Sequence, residues 1–351
     1  MKIKEKYVHT RNYACRIREY ICNGIRMASM ENEKIKAVFA VDKGTDLVEL
    51  VYKPADLDYM WHSFNELKNI THISTKPSSG GNFLDSYGGG WQDLFPTYGG
   101  PAVLHGGEIG IHGEICLYPW DCQVVEDTPE SICLKFSVRT IRTPFLVEKY
   151  ARLREGSARL ELSWRITNLS DEPQEFMWGQ HPAFGWPFVD EHTRLYLDGE
   201  PQVLVPESMI VQNCPFDKET KGKWPTLPDK TGKPFDMSKA YAHEDNIYME
   251  YAVTDLAKGE YELINEEKKL GIRMNWDLAL FPHLWIWGMY CGNKDYPWYG
   301  RAYTMAVEPW SSLPGEFEAA SQEKDTLWLK GKESLETEMS AELFEAEGGE
   351  A

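Results

Sequence analysis

The sequence is short of several features that mark common protein classes. No run of about 18 apolar residues occurs, so no segment could cross a bilayer as a helix. The seven cysteines never form a C-x-x-C pair, which argues for reduced thiols and against a structural zinc. No glycine-rich loop closes on a Lys-Ser or Lys-Thr pair, no βαβ rhythm appears, and no internal repeat is visible. The opening "MKIKEKYVHTRNYACRIREY" has no apolar core of signal-peptide length, so a cytoplasmic setting is expected. Positive charge is scarce: 37 Lys and Arg face 55 Asp and Glu, for a net charge of -18. Such a chain repels phosphate backbones and anionic lipid surfaces, so neither nucleic acid nor membrane is an expected partner. Nothing in the sequence fixes an oligomeric state.

Aromatic residues, in contrast, are abundant at 13%, with 13 Trp and 18 Tyr. Aromatic faces pack cores, and they also stack on the C–H faces of sugars. The strongest local signals have period two. "KIKAVFAVDKGTDLVELVYK" predicts two strands joined by a turn at Lys43-Gly44. "SICLKFSVRT", "LVEKYARLRE", "ARLELSWRITNLS" and "YELINEEKKLGIRMNW" alternate in the same way, with turn clusters between them. Short strands at short spacing predict an all-β antiparallel sandwich. Helix is expected only near "ADLDYMWHSFNELK" and in the tail 331–351. That tail, with seven Glu and one Lys, reads as an acidic, solvated terminus, partly helical or frayed. Residues 1–330 read as one domain, with Pro201 to Met237 as a long surface excursion of the kind that often borders a binding site.

Three stretches could carry chemistry. The first runs from "GGGWQDLFPTYGG" to "LHGGEIGIHGEICLYPW", dense in glycine, with His105 and His112 seven residues apart. His105, His112 and Glu114 could in principle bind a metal, but no third histidine has matching local spacing, and none is expected. The second is "WGQHPAFGWP", where His181 is the lone ionisable side chain. Pro182 after it enforces extended geometry, which suits packing and catalysis equally. The third is "RAYTMAVEPWSSLPG". As a strand, it places Thr304, Ala306 and Glu308 on one face and Met305 and Val307 on the other. Partial burial would lift Glu308 toward a general-base pKa. Two further candidates are Asp245 in "AHEDNIYME" and the "FPHLWIWGMY" stretch, where Trp285 and Trp287 share a face as a platform or as core.

The order of these motifs resembles the aldose 1-epimerase (galactose mutarotase-like) superfamily. "VDKGTDLVELVYKPADLDYMWHS" is similar to its early strand pair. "GGWQDLFPTYG" is similar to a stretch of its hexose-phosphate branch, and "HGEICLYPW" to its His-Gly motif with a Trp downstream. "WGQHPAFG" is similar to its second His motif, and "WDLALFPHLWIW" with "AVEPW" to its late Trp strand and Glu-Pro motif. The match runs from about Val41 to Pro314. It implies an all-β antiparallel supersandwich without a cofactor, acting on a small carbohydrate. By the same resemblance Glu308 is a general base, His181 a general acid, and His112 orients the sugar. His105, in "LHGGEIG", rivals His112 for that role. Asp245, Trp91, Gln180 and Trp287 are the expected sugar contacts. Where the phosphate branch carries an Arg, Glu114-Ile115-Cys116 stands instead, so a free sugar or close relative is expected. The activity implied is interconversion of α and β anomers. The alternatives are a non-catalytic carbohydrate-binding or regulatory module on the same fold, and, less favoured, a related hydrolase or lyase.

Overall fold

The computed structural model describes residues 11–69, 81–209 and 211–346. Two large antiparallel sheets dominate it. One has twelve strands and the other eight. The larger sheet begins with two hairpins, Arg16–Cys22 with Ile25–Glu31 and Ile35–Ala40 with Asp46–Tyr52. The turn between the second pair falls at Lys43-Gly44, as the pattern predicts. The sheet continues through Trp91–Leu94, Gly179–Gly185, Tyr303–Trp310, His283–Tyr290, Ile247–Thr254, Gln202–Val205 and Thr220–Lys223. Neighbours there come from stretches far apart in sequence.

The two sheets bury a common core. Phe39 meets Phe136 across it at 5.1 Å, and Trp164 meets Trp178 at 5.8 Å. Strand alternation accounts for this, since every second residue of Phe145–Arg154 and Arg159–Asn168 is buried, and all of these but Lys149 and Asn168 are apolar. A second cluster of buried rings, including Trp61, Tyr87, Trp285 and Trp310, lies on the other face of the larger sheet. The larger sheet is covered on both faces here, so Gly179–Gly185 is buried throughout, its Gln180 and His181 included.

Three expectations are corrected. The first is the acidic tail, most of which is a strand: Ser334–Glu345 lies inside the eight-stranded sheet, between Arg159–Asn168 and Leu270–Trp276. Thr337, Met339, Ala341 and Leu343 point inward, while Glu336 and Glu338 face solvent. Counting charge hid this period-two pattern. Residues 347–351 of the tail lie outside the described residues.

The second correction is the helix expected near residues 55–68. Its backbone pairs across strands instead, with Tyr59 N donating to Leu50 O, Trp61 N to Ala183 O and Ser63 N to Gly88 O. Asp58 accepts from Leu50 N and Met60 N, which holds the chain extended. The third concerns residues 201–237. They do not merely run over the surface. They supply the last two strands of the larger sheet, Gln202–Val205 and the edge strand Thr220–Lys223, and a small hairpin, Thr226–Pro228 with Pro234–Asp236, and they bury Val203, Val205, Phe216 and Leu227.

Candidate active site

Four adjacent strands build the site on the face of the larger sheet that points away from the smaller one. On Gly179–Gly185, Phe184 enters the inter-sheet core while His181 and Ala183 point outward. On Tyr303–Trp310, Met305 and Val307 enter the core while Ala306, Glu308 and Trp310 point outward. His283–Tyr290 presents Trp285, Trp287 and Met289, and Ile247–Thr254 presents Tyr248, Glu250 and Ala252. The register sets Trp285 opposite Glu308 and Trp287 opposite Glu250. Small residues make room for the rings: a Cβ on Gly179 would lie 2.2 Å from the Trp310 indole.

His181 Nε2 stands 3.5 Å from Glu308 Oε1, and both side chains are almost fully buried. The other carboxylate oxygen accepts a hydrogen bond from Trp310 Nε1 at 3.0 Å. That indole in turn stacks on Trp285 at 4.2 Å. The Tyr87 hydroxyl lies 3.3 Å from His181 Nδ1. His112 lies 5.9 Å from His181, ring to ring, with Phe83 set edge-on at 4.3 Å. Its Nδ1 is buried and has no hydrogen-bond partner among the described residues. His112 holds a left-handed backbone, φ 62°, and Gly113 follows at φ 81°. A Cβ on Gly113 would fall 2.2 Å from Phe95 O, so this turn requires glycine.

Burial dominates the electrostatics. It lowers His181 to about 4 and His112 to about 3, and it raises Glu308 well above the usual carboxylate range. Burial thus disfavours the charged form of both members of the His181–Glu308 pair. These residues line a cavity of about 260 Å³ with Tyr87, Trp287 and Glu250. The larger groove, about 660 Å³, lies on the outer face of the eight-stranded sheet. Its Arg152 and Arg154 are paired with Glu126 and Glu161, and its described lining holds no buried acid–base pair, so the smaller cavity is the candidate site.

Of the eight residues singled out from the sequence, the cavity gathers Glu308, His181, His112 and Trp287. The other four lie elsewhere. Gln180 and Trp91 point to the opposite side of the sheet from His181, because each is out of step with it by one residue in the strand alternation. There Trp91 Nε1 donates to Gln180 Oε1, Gln180 Nε2 to Asp93 Oδ1, and Lys149 pairs with Asp93, in a buried polar chain beneath the site. His105 is exposed at the turn of the hairpin formed by Ala102–Leu104 and Gly107–Ile109. Asp245 is exposed and caps its own turn by accepting from Ala242 N at 3.0 Å. Nor do His105, His112 and Glu114 converge, since both Glu114 oxygens are taken by Thr143, Tyr118 and the Ile141 and Arg142 amides.

Sequence reasoning missed Glu250, which accepts from the Tyr248 hydroxyl and is raised by burial to about 7. The available signal was an acid on the outward face of "IYMEYAVT", in step with Tyr248 and Ala252. It also missed Tyr87, which stands just before the glycine run Gly88, Gly89 and Gly90 that leads into the "WQDL" strand.

A family model described as a domain of unknown function, DUF4432, matches residues 22–343. The chain belongs to that family. No curated protein matches it. Among solved structures, this DUF4432 protein is similar to a proposed aldose 1-epimerase from Klebsiella pneumoniae, at 15% identity and a TM-score of 0.72, with 97% of this chain and 85% of that one covered. It is similar also to a galactose mutarotase-like protein from Clostridium acetobutylicum, at 15% identity and a TM-score of 0.62, covering 95% and 99%. A galactose mutarotase related enzyme from Lactobacillus acidophilus gives 17% identity and a TM-score of 0.61, covering 93% and 97%. The fold of this DUF4432 member is therefore the all-β galactose mutarotase-like sandwich. At such identities fold is shared, and function rests on the site.

Proposed function

We propose that this protein is an aldose 1-epimerase that interconverts the α and β anomers of a free, uncharged pyranose. The observation that carries the reading is the buried His181–Glu308 pair, 3.5 Å apart, on the wall of a tryptophan-lined cavity. Anomer exchange needs one group to take the proton from the anomeric hydroxyl and another to protonate the ring oxygen. Both oxygens sit on C1, so acid and base must stand close together, as these two do. The pair's one proton rests on Glu308, as burial favours. It passes to His181 Nε2 as the sugar binds, and the Glu308 carboxylate then takes the O1 proton while His181 Nε2 gives its proton to the ring oxygen. The C1–O5 bond then opens to the aldehyde, C1 rotates, and the ring oxygen re-adds to the other face of the carbonyl with the roles reversed. The pair begins and ends with one proton, and no nucleophile or redox step is required. Each group contributes roughly 10²–10⁴-fold, enough for a reaction that already runs in water. Trp287 offers an apolar face for the C–H side of the ring, and His112 a hydrogen-bonding edge. The charged residues lining the cavity are Glu250, Glu308 and Glu316, with no Lys or Arg among its described lining, which favours an uncharged sugar over a phosphorylated one.

NMR exchange spectroscopy over a panel of neutral aldopyranoses tests the proposal. The wild type is expected to accelerate α/β exchange of at least one, with Glu308→Gln lowering kcat/KM by about 10²-fold or more. Saturable sugar binding with exchange no faster than in buffer would make the protein a binding module and end this reading.

A further inference from the structure

The ring of His181 has two nitrogens with separate surroundings. Nε2 faces Glu308 Oε1 at 3.5 Å, on the cavity side. Nδ1 lies 3.3 Å from the Tyr87 hydroxyl. In a neutral imidazole only one nitrogen carries the proton, and the bond made by the other decides which. A hydroxyl oxygen can accept from an Nδ1–H, so Tyr87 is placed to hold a proton on that nitrogen.

The chemistry imposes the same choice, on the assumption that His181 and Glu308 act as proposed above. If His181 acts as acid, it is an imidazolium and both nitrogens carry protons. If it acts as base, Nε2 must be bare and Nδ1 must carry the proton. In both cases Nδ1 keeps its proton and Nε2 exchanges the working one. The Nε2–H tautomer is unproductive, because giving up that proton would leave an imidazolate.

We propose that Tyr87 is a positioning residue that holds His181 in its Nδ1–H form, leaving Nε2 as the nitrogen that trades a proton with the sugar. The surroundings of Tyr87 suit a fixed strut. It is 1% exposed, stacks on Phe83 at 5.0 Å and meets Trp61 edge-on at 5.6 Å. Its segment enters through Gly88, Gly89 and Gly90. Gly89 and Gly90 have positive φ, and a Cβ on Gly89 would lie 2.0 Å from Trp61 O. The close approach that these glycines permit sets Tyr87 beside His181, their rings 5.6 Å apart. Tyr87 touches no reacting atom and acts through the orientation and tautomer of the imidazole.

The test combines two readouts on ligand-free and turning-over protein. First, ¹⁵N NMR of histidine-labelled wild type near neutral pH reports which ring nitrogen of His181 carries the proton, with His181→Asn used to assign the signal. The expected result is a protonated Nδ1 and a bare Nε2. In Tyr87→Phe, which keeps the ring and removes only the hydroxyl, a mixture of tautomers is expected. Second, Tyr87→Phe is expected to lower kcat about tenfold, the worth of one hydrogen bond, with KM within about twofold of wild type. A purely structural role would leave the tautomer unchanged. Wild-type His181 protonated at Nε2, or a Tyr87→Phe protein with unchanged tautomer and kcat, would overturn the proposal while leaving the epimerase reading standing. Absence of turnover in the wild type would remove the epimerase reading, and the NMR readout would still decide whether Tyr87 sets the tautomer.

Discussion

A carboxylate that titrates usefully has to be separated from the 54 other acids in this chain, and burial makes that separation. Glu308 is 4% exposed, receives one indole N–H, and faces Glu250, whose charge further disfavours its ionised form. A pH profile follows from these shifts. Below about pH 4, His181 takes up a second proton on the pair and no base remains, so kcat/KM falls. The alkaline limb belongs to Glu308 and lies well above the ordinary carboxylate range. Glu250→Gln removes a like charge facing Glu308, so Glu308 ionises more easily and the alkaline limb moves to lower pH. Rate measurements over a wide pH range check this, and a limb that stays put or moves up would refute the coupling. By local pattern alone, His181 is a lone histidine among rings and Glu308 an acid before a proline, and only the resemblance to the aldose 1-epimerase superfamily gives them roles. Burial and the approach of one to the other are tertiary facts, so neither pKa could be read in advance.

At the scale of strands, alternation was the most legible signal. The split of Thr304, Ala306 and Glu308 from Met305 and Val307 follows from period two, and the structure keeps it. Parity also explains the misses: Gln180 adjoins His181 in the chain and so faces the opposite side of the sheet. Asp245 was read as a sugar contact, but it precedes its strand, and Glu250 takes the outward position five residues on. The strand pair Gly179–Gly185 and Tyr303–Trp310 is most constrained at Gly179, opposite Trp310. Gly179→Ala would push a methyl into the indole that holds Glu308. Such overpacking costs on the order of 1–3 kcal/mol. Denaturant unfolding is expected to show that loss, together with reduced exchange activity as the Trp310–Glu308 bond is displaced. A Gly179→Ala protein as stable as wild type would show that the indole relaxes freely and that the contact does not position the acid.

Over the whole molecule, the sandwich was legible from repeated short strands, whereas the long-range neighbours were not. Trp91–Leu94 pairs with Gly179–Gly185, which pairs with Tyr303–Trp310, and no local pattern announces such partners. The closing strand Ser334–Glu345 escaped notice because its outward glutamates mimic a solvated tail. What the fold accomplishes is to bring His112, His181 and Glu308 from three remote stretches to one cavity. The most direct test of the account is a crystal structure of the Glu308→Gln protein with a neutral pyranose that the wild type turns over. The account predicts the ring seated against Trp287, with its O5 within hydrogen-bond reach of His181 Nε2 and its O1 within reach of residue 308. A sugar bound in another groove, or turned so that C1 points away from both side chains, would contradict it.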